Sequence, residues 1–209
     1  YFFPMMVDIT ERKKAETSLA KEASINAALV DLSHVMMAET SLIDIPGRVL
    51  EHAMRLTKSE IGFVGYIDPQ TGSLISSHHS VDASSVEANA NPTQVFYVFT
   101  GLWGWVLKNK KSLISNHPAN DPRSSGVPAG HTPIRRFLSV PAIVDDNLVG
   151  QIALANAPQD YTAADLDITQ RLATLYGAAV YQQQLKEKFH FLSMHDPMTG
   201  LHNRRYYEE

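Results

Sequence analysis

The last fifth of the sequence, from Thr162 to Arg205, contains the pattern that most limits how this chain can fold. Thr162 is followed by Asp165, an order typical of a helix start because a carboxylate stabilises the positive end of the helix dipole. Pro197 lacks a backbone N–H and disfavours helical geometry at the residue before it, so we predict that the helix ends near His195. Any fold for this chain must therefore accommodate one long helix near its C-terminal end.

Apolar or small side chains recur along one face of this helix. They are spaced alternately by three and four residues, and the set is Leu175, Ala178, Gln182, Leu185, Phe189 and Leu192. This spacing is typical of a helix that pairs with another helix. Gln182 is the one polar member, and a polar residue on such a face can fix the register of pairing at some cost in stability. We therefore predict a signalling helix and a parallel homodimer that forms through the terminal helices.

Composition excludes several classes of function. The chain has 209 residues, a net charge of -4 and no basic stripe, which argues against a nucleic-acid partner. Cysteine is absent, which rules out disulfides, cysteine nucleophiles, zinc–cysteine sites and a thioether-linked chromophore. No apolar run approaches the roughly 18 residues of a membrane helix, and no signal peptide is visible. We expect a cytoplasmic protein without direct membrane contact.

Hydrophobic periodicity predicts alternating groups of helices and hairpins. The predicted elements are a helix to about residue 37, a helix over 41–57, strands over 61–67 and 73–78, a helix over 101–107, a strand over 112–116, and strands over 137–144 and 148–156. We expect Leu19, Ala23 and Val30 on the apolar side of the first helix. This order predicts an α+β fold, with an antiparallel sheet of five to six strands, helices on one face and long terminal helices.

The predicted layout and six short segments resemble GAF domains. The segments are Gly101-Leu102-Trp103-Gly104, Asn120-Asp121-Pro122-Arg123, Phe137-Leu138-Ser139-Val140-Pro141, Asn147-Leu148-Val149-Gly150, Ala153-Leu154-Ala155-Asn156 and Tyr161-Thr162-Ala163-Ala164-Asp165-Leu166. The resemblance spans about residues 27–181. It implies a domain that either binds a small molecule between the sheet and the loops over it, or only dimerises.

A long loop over 117–133 and its neighbours supply the candidate ligand site, since a loop of this length in a compact domain is usually functional or disordered. Aromatic walls with a few convergent polar groups are typical of small-molecule sites, and arginines favour a carboxylate or phosphate. We expect an unidentified ligand, with an anion favoured, and neither a metal nor a catalytic group. The predicted lining residues are Trp103, Trp105, Asn120, Asp121, Arg123, His131, Arg135, Phe137 and Ser139.

Both ends of the sequence resemble parts of other signalling domains. Residues 5–16, with Asp8-Ile9-Thr10-Glu11-Arg12-Lys13, resemble the tail of a PAS domain and its linker helix. Asp196-Pro197-Met198-Thr199-Gly200-Leu201-His202-Asn203-Arg204-Arg205 resembles the opening of GGDEF domains, the diguanylate cyclase family. These resemblances imply a PAS tail and linker over 1–26, a GAF domain over 27–181, a signalling helix over 182–195 and the start of a GGDEF domain over 196–209.

The GGDEF resemblance implies an output activity that these residues cannot perform alone. Members of that family join two GTP molecules into cyclic di-GMP with a divalent metal such as Mg²⁺, and their Gly-Gly-Asp-Glu-Phe signature is absent from this sequence. Two alternatives remain open. One is a ligand-free GAF module that dimerises and relays a signal. The other is the sensor region of a histidine kinase, because residues 191–196 loosely resemble that family's phosphoacceptor helix.

Overall fold

A computed structural model gives the fold and describes residues 10–37, 44–79, 93–127, 131–196, 199, 201–203 and 206. The elements are, in order, α1 (Thr10–Met37), α2 (Asp44–Thr57), β1 (Ile61–Ile67), β2 (Leu74–His79), β3 (Gln94–Phe96), α3 (Gly101–Asn109), β4 (Leu113–Ser115), a 3-10 turn (Pro118–Asn120), β5 (Phe137–Val144), β6 (Asn147–Ala155) and α4 (Ala163–Met194). The predicted start of the second helix at 41–43, the PAS-like residues 5–9, and Pro197, Met198, Gly200, Arg204 and Arg205 of the GGDEF-like segment lie outside the described residues.

The described strands form one six-stranded sheet in the order β3-β2-β1-β6-β5-β4. Every described strand pair is antiparallel. In the centre of the sheet, Gln151 on β6 lies opposite Gly65 on β1 and Pro141 on β5. The predicted α+β class, the two hairpins and the antiparallel sheet are confirmed.

The two faces of the sheet are covered by different helices. Successive strand residues point to opposite faces, so neighbours along a strand belong to different clusters. Leu138 and Ile152 belong to the large core shared with α1, α2 and α4. Their strand neighbours Phe137 and Ala153 instead pack with Val106 of the short helix α3. The arrangement thus differs from the expectation in one respect, since α3 covers the face opposite the three long helices.

Helix α1 carries two apolar stripes, and only one of them meets the core. Ile25, Ala28 and Leu32 are buried where α1 packs against α2 and α4. Leu19 is 73% exposed, Val30 is 54% exposed and Ala23 is exposed as well, so the residues expected on the apolar side of this helix do not lie on the side that meets the core. A helix with apolar residues on two sides gives no sequence signal that decides which side is buried.

Helix α4 begins and ends as predicted. The Thr162 side chain accepts a hydrogen bond from the Asp165 N–H, the Asp165 carboxylate accepts one from the Thr162 N–H, and His195 ends the helix. Its buried residues all lie between Ile168 and Val180. With 32 residues the helix is about 48 Å long, so its C-terminal part extends beyond the buried contacts.

A chain of buried hydroxyl groups ties the end of α2 to the start of α4. The hydroxyls of Tyr161 and Ser59 share a hydrogen bond of 2.7 Å, and those of Ser59 and Thr57 share another of 2.7 Å. The Thr57 hydroxyl also donates to the Ala53 carbonyl at 2.7 Å. Burial raises the pKa of Tyr161 to about 12. The neutral phenol is therefore part of the folded structure.

The described residues beyond α4 fold back against its end. The Asp196 N–H donates to the Leu201 carbonyl at 2.8 Å. The Asn203 side-chain amide donates to the Ser193 carbonyl at 2.7 Å, and its backbone N–H donates to the Met194 carbonyl at 2.9 Å. The two bonds from Asn203 satisfy carbonyl groups that the end of a helix leaves without intrahelical partners.

Candidate functional site

The α3 side of the sheet has a polar floor at its centre. The Gln151 side chain is fully buried, and its Nε2 donates to the Trp103 carbonyl at 3.0 Å and to the Ser139 hydroxyl at 2.7 Å. Ser139 is also fully buried and donates to the Ile152 carbonyl at 3.0 Å. Among the described residues, Gln151 Oε1 has no hydrogen-bond partner. A buried acceptor without a donor is rare in native proteins, and a bound water, ion or other group is one explanation for it.

Aromatic rings surround Trp103 above this floor. The ring centroids of Phe96, Phe99 and Phe63 lie 5.2, 5.8 and 6.4 Å from that of Trp103. These are the tilted and edge-to-face arrangements that aromatic rings favour. Helix α3 can begin so close to this cluster because Gly104 has no side chain, since a Cβ there would lie 2.4 Å from the Phe99 carbonyl carbon. The cluster gives the site an apolar wall beside its polar floor.

Asp121 and Arg123 form a closed ion pair at the edge of α3. Arg123 donates from Nε to Asp121 Oδ1 and from Nη2 to Oδ2, both at 2.8 Å. Its guanidinium carbon lies 5.0 Å from the ring centroid of Trp105. These hydrogen bonds from Arg123 hold the pKa of Asp121 far below its usual range. Asp121 therefore neutralises Arg123 at ordinary pH.

The other polar residues predicted to line the site lie near the surface. Arg135 Nη2 donates to Glu60 Oε2 at 2.8 Å, and both side chains are more than half exposed. His131 is exposed and its Nδ1 lies 2.7 Å from the carbonyl oxygen of the next residue. Asn120 is exposed at the end of the 3-10 turn. Arg135 and His131 thus make hydrogen bonds to other groups of this protein.

The structure brings together part of the predicted site. Trp103, Phe137 and Ser139 lie on the α3 side of the sheet, and Trp105 packs against the same cluster with Arg123 over its ring. Gln151 was missed by the sequence reasoning. The available signal was one polar residue within the apolar strand Val149-Gly150-Gln151-Ile152-Ala153, at an inward-facing position.

Neither a metal site nor an enclosed pocket is found on the other surfaces that the described residues form. No group of three or more histidine and acidic side chains there is arranged to hold a metal ion. An open hollow of about 570 Å³ runs along α1 and is lined by Thr10, Lys13, Thr17, Ser18 and Lys21. All five belong to one helix, so this hollow lacks the enclosing walls of a small-molecule site.

The predicted seam of α4 faces away from the core. Phe189 is 68% exposed and Leu192 is 45% exposed, whereas the alternate face carries buried Leu172 and Tyr176. Farther back on the seam, Ala178 and Gln182 are exposed, and Leu175 and Leu185 are partly buried. The seam is thus available for contact with another molecule, and its pairing remains a prediction.

Contacts at both ends of the domain connect α4 to its surroundings. Arg171 Nη1 donates to Glu22 Oε1 on α1 at 2.8 Å. Gln184 Nε2 donates to the Ile67 carbonyl at the end of β1 at 2.8 Å. Strand β1 also carries Phe63 of the aromatic wall. One strand therefore touches both the α3-side cluster and the helix that leaves the core.

His195 lies just beyond α4 in extended backbone, with φ of -125° and ψ of 147°. Its ring stacks on Phe191 at a centroid distance of 4.1 Å and lies 4.3 Å from the ring of His202. The histidine-kinase alternative needs a phosphoacceptor on a helix, and this histidine is outside one. As for the membrane, no helix in the described part of the chain is both long and apolar enough to cross one.

The fold and the sequence together define the family. Residues 39–180 match the family model of the GAF domain, and this chain belongs to that family. The chain is 31% identical over 188 residues to the methyl sulfide methyltransferase-associated sensor of Methanosarcina acetivorans. That match covers 88% of this chain and 18% of the relative, so the chain spans less than a fifth of the relative's length.

Solved structures support the same fold. The GAF domain of a phosphoenolpyruvate-protein phosphotransferase from Coxiella burnetii aligns with a TM-score of 0.65, 14% identity, and coverage of 79% of this chain and 98% of that one. The corresponding domain from Acinetobacter aligns with a TM-score of 0.63, 16% identity, and coverage of 76% of this chain and 93% of that one. Free methionine-R-sulfoxide reductase from Neisseria meningitidis, in complex with its substrate, aligns with a TM-score of 0.61, 11% identity, and coverage of 78% of this chain and 91% of that one. At these identities the likeness concerns the fold alone.

Proposed function

We propose that this GAF domain is a sensory module that binds a small molecule on the α3 side of its sheet. The observation that carries the proposal is the buried Gln151 Oε1, which no described residue hydrogen-bonds, beneath the aromatic cluster of Trp103. An apolar wall with one or two convergent polar groups is the usual composition of a ligand site. The relative named as a sensor supports a sensory role.

Native mass spectrometry of the purified chain tests ligand binding. We expect an added mass on the wild-type protein that is lost in Trp103→Ala. Tyr97→Ala is the control, because Tyr97 is an exposed aromatic near the same helix in sequence and makes none of the ring contacts of Trp103. A chain that carries no added mass, and whose melting temperature no metabolite in a broad panel raises, would contradict the proposal.

The proposed output is a diguanylate cyclase that follows α4. Support comes from the order Asp196, Thr199, Leu201, Asn203 within the GGDEF-like segment, and from the hydrogen bonds that join this segment to the end of α4. In this proposal the domain that holds GTP and Mg²⁺ lies downstream, and a dimer of such domains joins two GTP into cyclic di-GMP. The GAF domain then controls how the two halves meet.

The full-length protein tests this output directly. Incubated with GTP and Mg²⁺, it is expected to form cyclic di-GMP, measured by liquid chromatography. A full-length protein that is folded and dimeric but leaves GTP unchanged, with or without the molecule that co-purifies with it, would contradict a cyclase output.

Signal transfer in this proposal uses α4 and its seam. A ligand can shift the helix only by as much as its affinity differs between two helix arrangements. The hydrogen bond from Gln184 to the Ile67 carbonyl joins α4 to the end of β1, the strand that also carries Phe63 of the aromatic cluster. Gln184 lies just beyond Val180, the last fully buried residue of α4. A parallel homodimer through the seam would carry that shift to the output domains.

Sedimentation measurements test the seam. Phe189→Glu places a charge among apolar seam residues and is expected to weaken dimerisation by tenfold or more while leaving the melting temperature unchanged. His190→Glu is the matched control, because His190 is exposed and lies about 110° around the helix from the seam. A wild-type chain that stays monomeric at high micromolar concentration would remove the dimer from the proposal.

A ligand-free relay module is the second candidate. The pairing of Arg123 with Asp121 and of Arg135 with Glu60 favours it, because neither arginine needs a ligand to balance its charge. The native mass spectrum separates the candidates, since a relay module would show no added mass and would still dimerise through the seam.

A further inference from the structure

The side-chain orientation of Gln151 is fixed by its neighbours. Its Nε2 donates to the Trp103 carbonyl at 3.0 Å, and a carbonyl can only accept. Exchanging the amide oxygen and nitrogen would bring two acceptors together. The Ser139 hydroxyl cannot reverse this, since it already donates its one proton to the Ile152 carbonyl. The position of Oε1 therefore follows from the hydrogen bonds rather than from an arbitrary choice of amide orientation.

The adjacent strands cannot supply a side-chain donor to this oxygen. Gly65 on one side has no side chain, and Pro141 on the other has neither a polar side chain nor a backbone N–H. Ser76, paired with Gly65 one strand farther away, has its hydroxyl 3.3 Å from both the Val64 and the His78 carbonyls. No described residue supplies the donor that this oxygen lacks, and a molecule placed over the sheet would supply it.

The charges beside α3 indicate what kind of molecule fits. Arg123 is the cation that lies against Trp105, and it donates to Asp121 from Nε and Nη2, one of the two guanidinium edges that can bind a carboxylate or phosphate. An anion on that edge would have to displace Asp121, whose side chain is only 7% exposed, and an anion elsewhere would meet a guanidinium whose charge Asp121 already neutralises. An uncharged molecule avoids this competition.

Resting on the proposed function, we propose that the α3-side site takes an uncharged, planar molecule that donates an N–H or O–H to Gln151 Oε1 and packs its ring against Trp103. Gln151 is then the residue that sets specificity. A buried acceptor favours molecules that supply its missing donor and rejects isosteres that lack it. The competing outcome is an anion held by Arg123 after separation from Asp121.

A matched pair of probes tests the donor requirement. Indole and benzofuran have nearly the same shape, but only indole has an N–H, and benzoate serves as the anion. Each is titrated into the ¹⁵N-labelled chain, with the side-chain amide signal of Gln151 as the readout. We expect indole to shift this signal and to bind roughly tenfold or more tightly than benzofuran. Benzofuran binding as tightly as indole, or preferred binding of benzoate, would overturn the inference alone.

Two variants test whether Gln151 causes the preference for indole over benzofuran. Gln151→Met keeps the length of the side chain, removes the acceptor and identifies the amide signal by its loss. It is expected to bring the indole-to-benzofuran ratio close to one. Tyr176→Phe removes a hydroxyl on the opposite side of the sheet that has no partner among the described residues, and it is expected to leave the ratio unchanged. An unchanged ratio in folded Gln151→Met would overturn the inference, and the wild-type titrations decide it if that variant does not fold. No shift from any of the three probes would overturn the proposed site and this inference together.

Discussion

The two faces of the sheet each bury one polar atom that no described residue hydrogen-bonds, but they bury it in different surroundings. Tyr176 Oη lies in the continuous apolar core under α4, where a Cβ at Gly150 would already be 2.9 Å from its ring. Gln151 Oε1 lies beneath one short helix, next to the hydroxyl of Ser139. On the first face the core is closely packed around that hydroxyl. The second face combines a polar floor with the cover of one short helix, which suits the ligand binding that we propose.

The largest effect is expected from truncation on the helix side. Leu172 is fully buried in the large core, and Leu172→Ala should lower the free energy of unfolding by about 3 kcal/mol. Leu102→Ala, on α3 and in the smaller cluster, should cost about 2 kcal/mol or less because fewer buried residues surround it. Urea unfolding measures both. A larger loss for Leu102→Ala would reverse the assignment of stability to the helix side.

High pH should destabilise the helix side next most strongly. An unfolded tyrosine ionises near pH 10, whereas burial raises the pKa of Tyr161 to about 12 and raises that of Tyr176 as well. Their neutral forms thus contribute stability that is intact below pH 10 and is lost as the pH rises toward 12. For Tyr161 alone the loss is on the order of 2 kcal/mol.

Urea unfolding between pH 9 and pH 12 checks this expectation, and Tyr161→Phe should make the decline less steep. A constant free energy of unfolding of the wild-type chain across that range would contradict the expectation. It would mean that the buried phenols have the same pKa in the folded chain as in the unfolded chain.

Breaking the ion pair beside α3 should have a moderate effect on stability and a qualitative effect on binding. Asp121→Asn removes the charge that neutralises Arg123 and should cost about 1 kcal/mol, since the Asp121 side chain is nearly buried. It should also allow benzoate to bind where the wild type does not. Arg123 lowers the pKa of Asp121, so the pair stabilises the fold above the ordinary carboxylate pKa and this contribution is lost in acid.

Glu60→Gln is the matched control for this change. It removes the partner of Arg135 in a pair that is more than half exposed, and exposed pairs contribute little, so the loss should stay below about 0.5 kcal/mol. Calorimetric titration with benzoate decides the binding part. Equal benzoate binding by wild type and Asp121→Asn would mean that Asp121 does not prevent Arg123 from binding an anion.

The smallest effect is expected from Tyr176→Phe. The variant removes a buried hydroxyl without a partner among the described residues, and such a group costs free energy in the folded state. We expect the free energy of unfolding to rise by up to about 1 kcal/mol, measured in urea. A loss of 1 kcal/mol or more would show that this hydroxyl has a partner in solution, and the contrast between the two faces would then weaken.

The sequence predicts those parts of the fold that depend on neighbouring residues. Thr162 with Asp165 defines the start of α4, Pro197 predicts its end, and alternating residues around turns predict both central hairpins. The side on which α3 packs is not predictable in this way, because it depends on which strand residues remain uncovered after the long helices are in place.

The candidate site is predictable only in part, for the same reason. Trp103, Phe137 and Ser139 are found through their segments. Gln151 becomes significant only once the strand register places it between Gly65 and Pro141, two residues without side-chain donors. Likewise, the partner of Arg135 is Glu60, which is 75 residues away in sequence and carries no local signal.

The central claim is that the α3 side of the sheet holds an uncharged donor over Gln151, and a crystal structure of the chain soaked with indole tests it most directly. The account predicts an indole ring beside Trp103 with its nitrogen about 3 Å from Gln151 Oε1. A structure in which a group of the protein itself donates to that oxygen, with indole absent or bound elsewhere, would contradict the account.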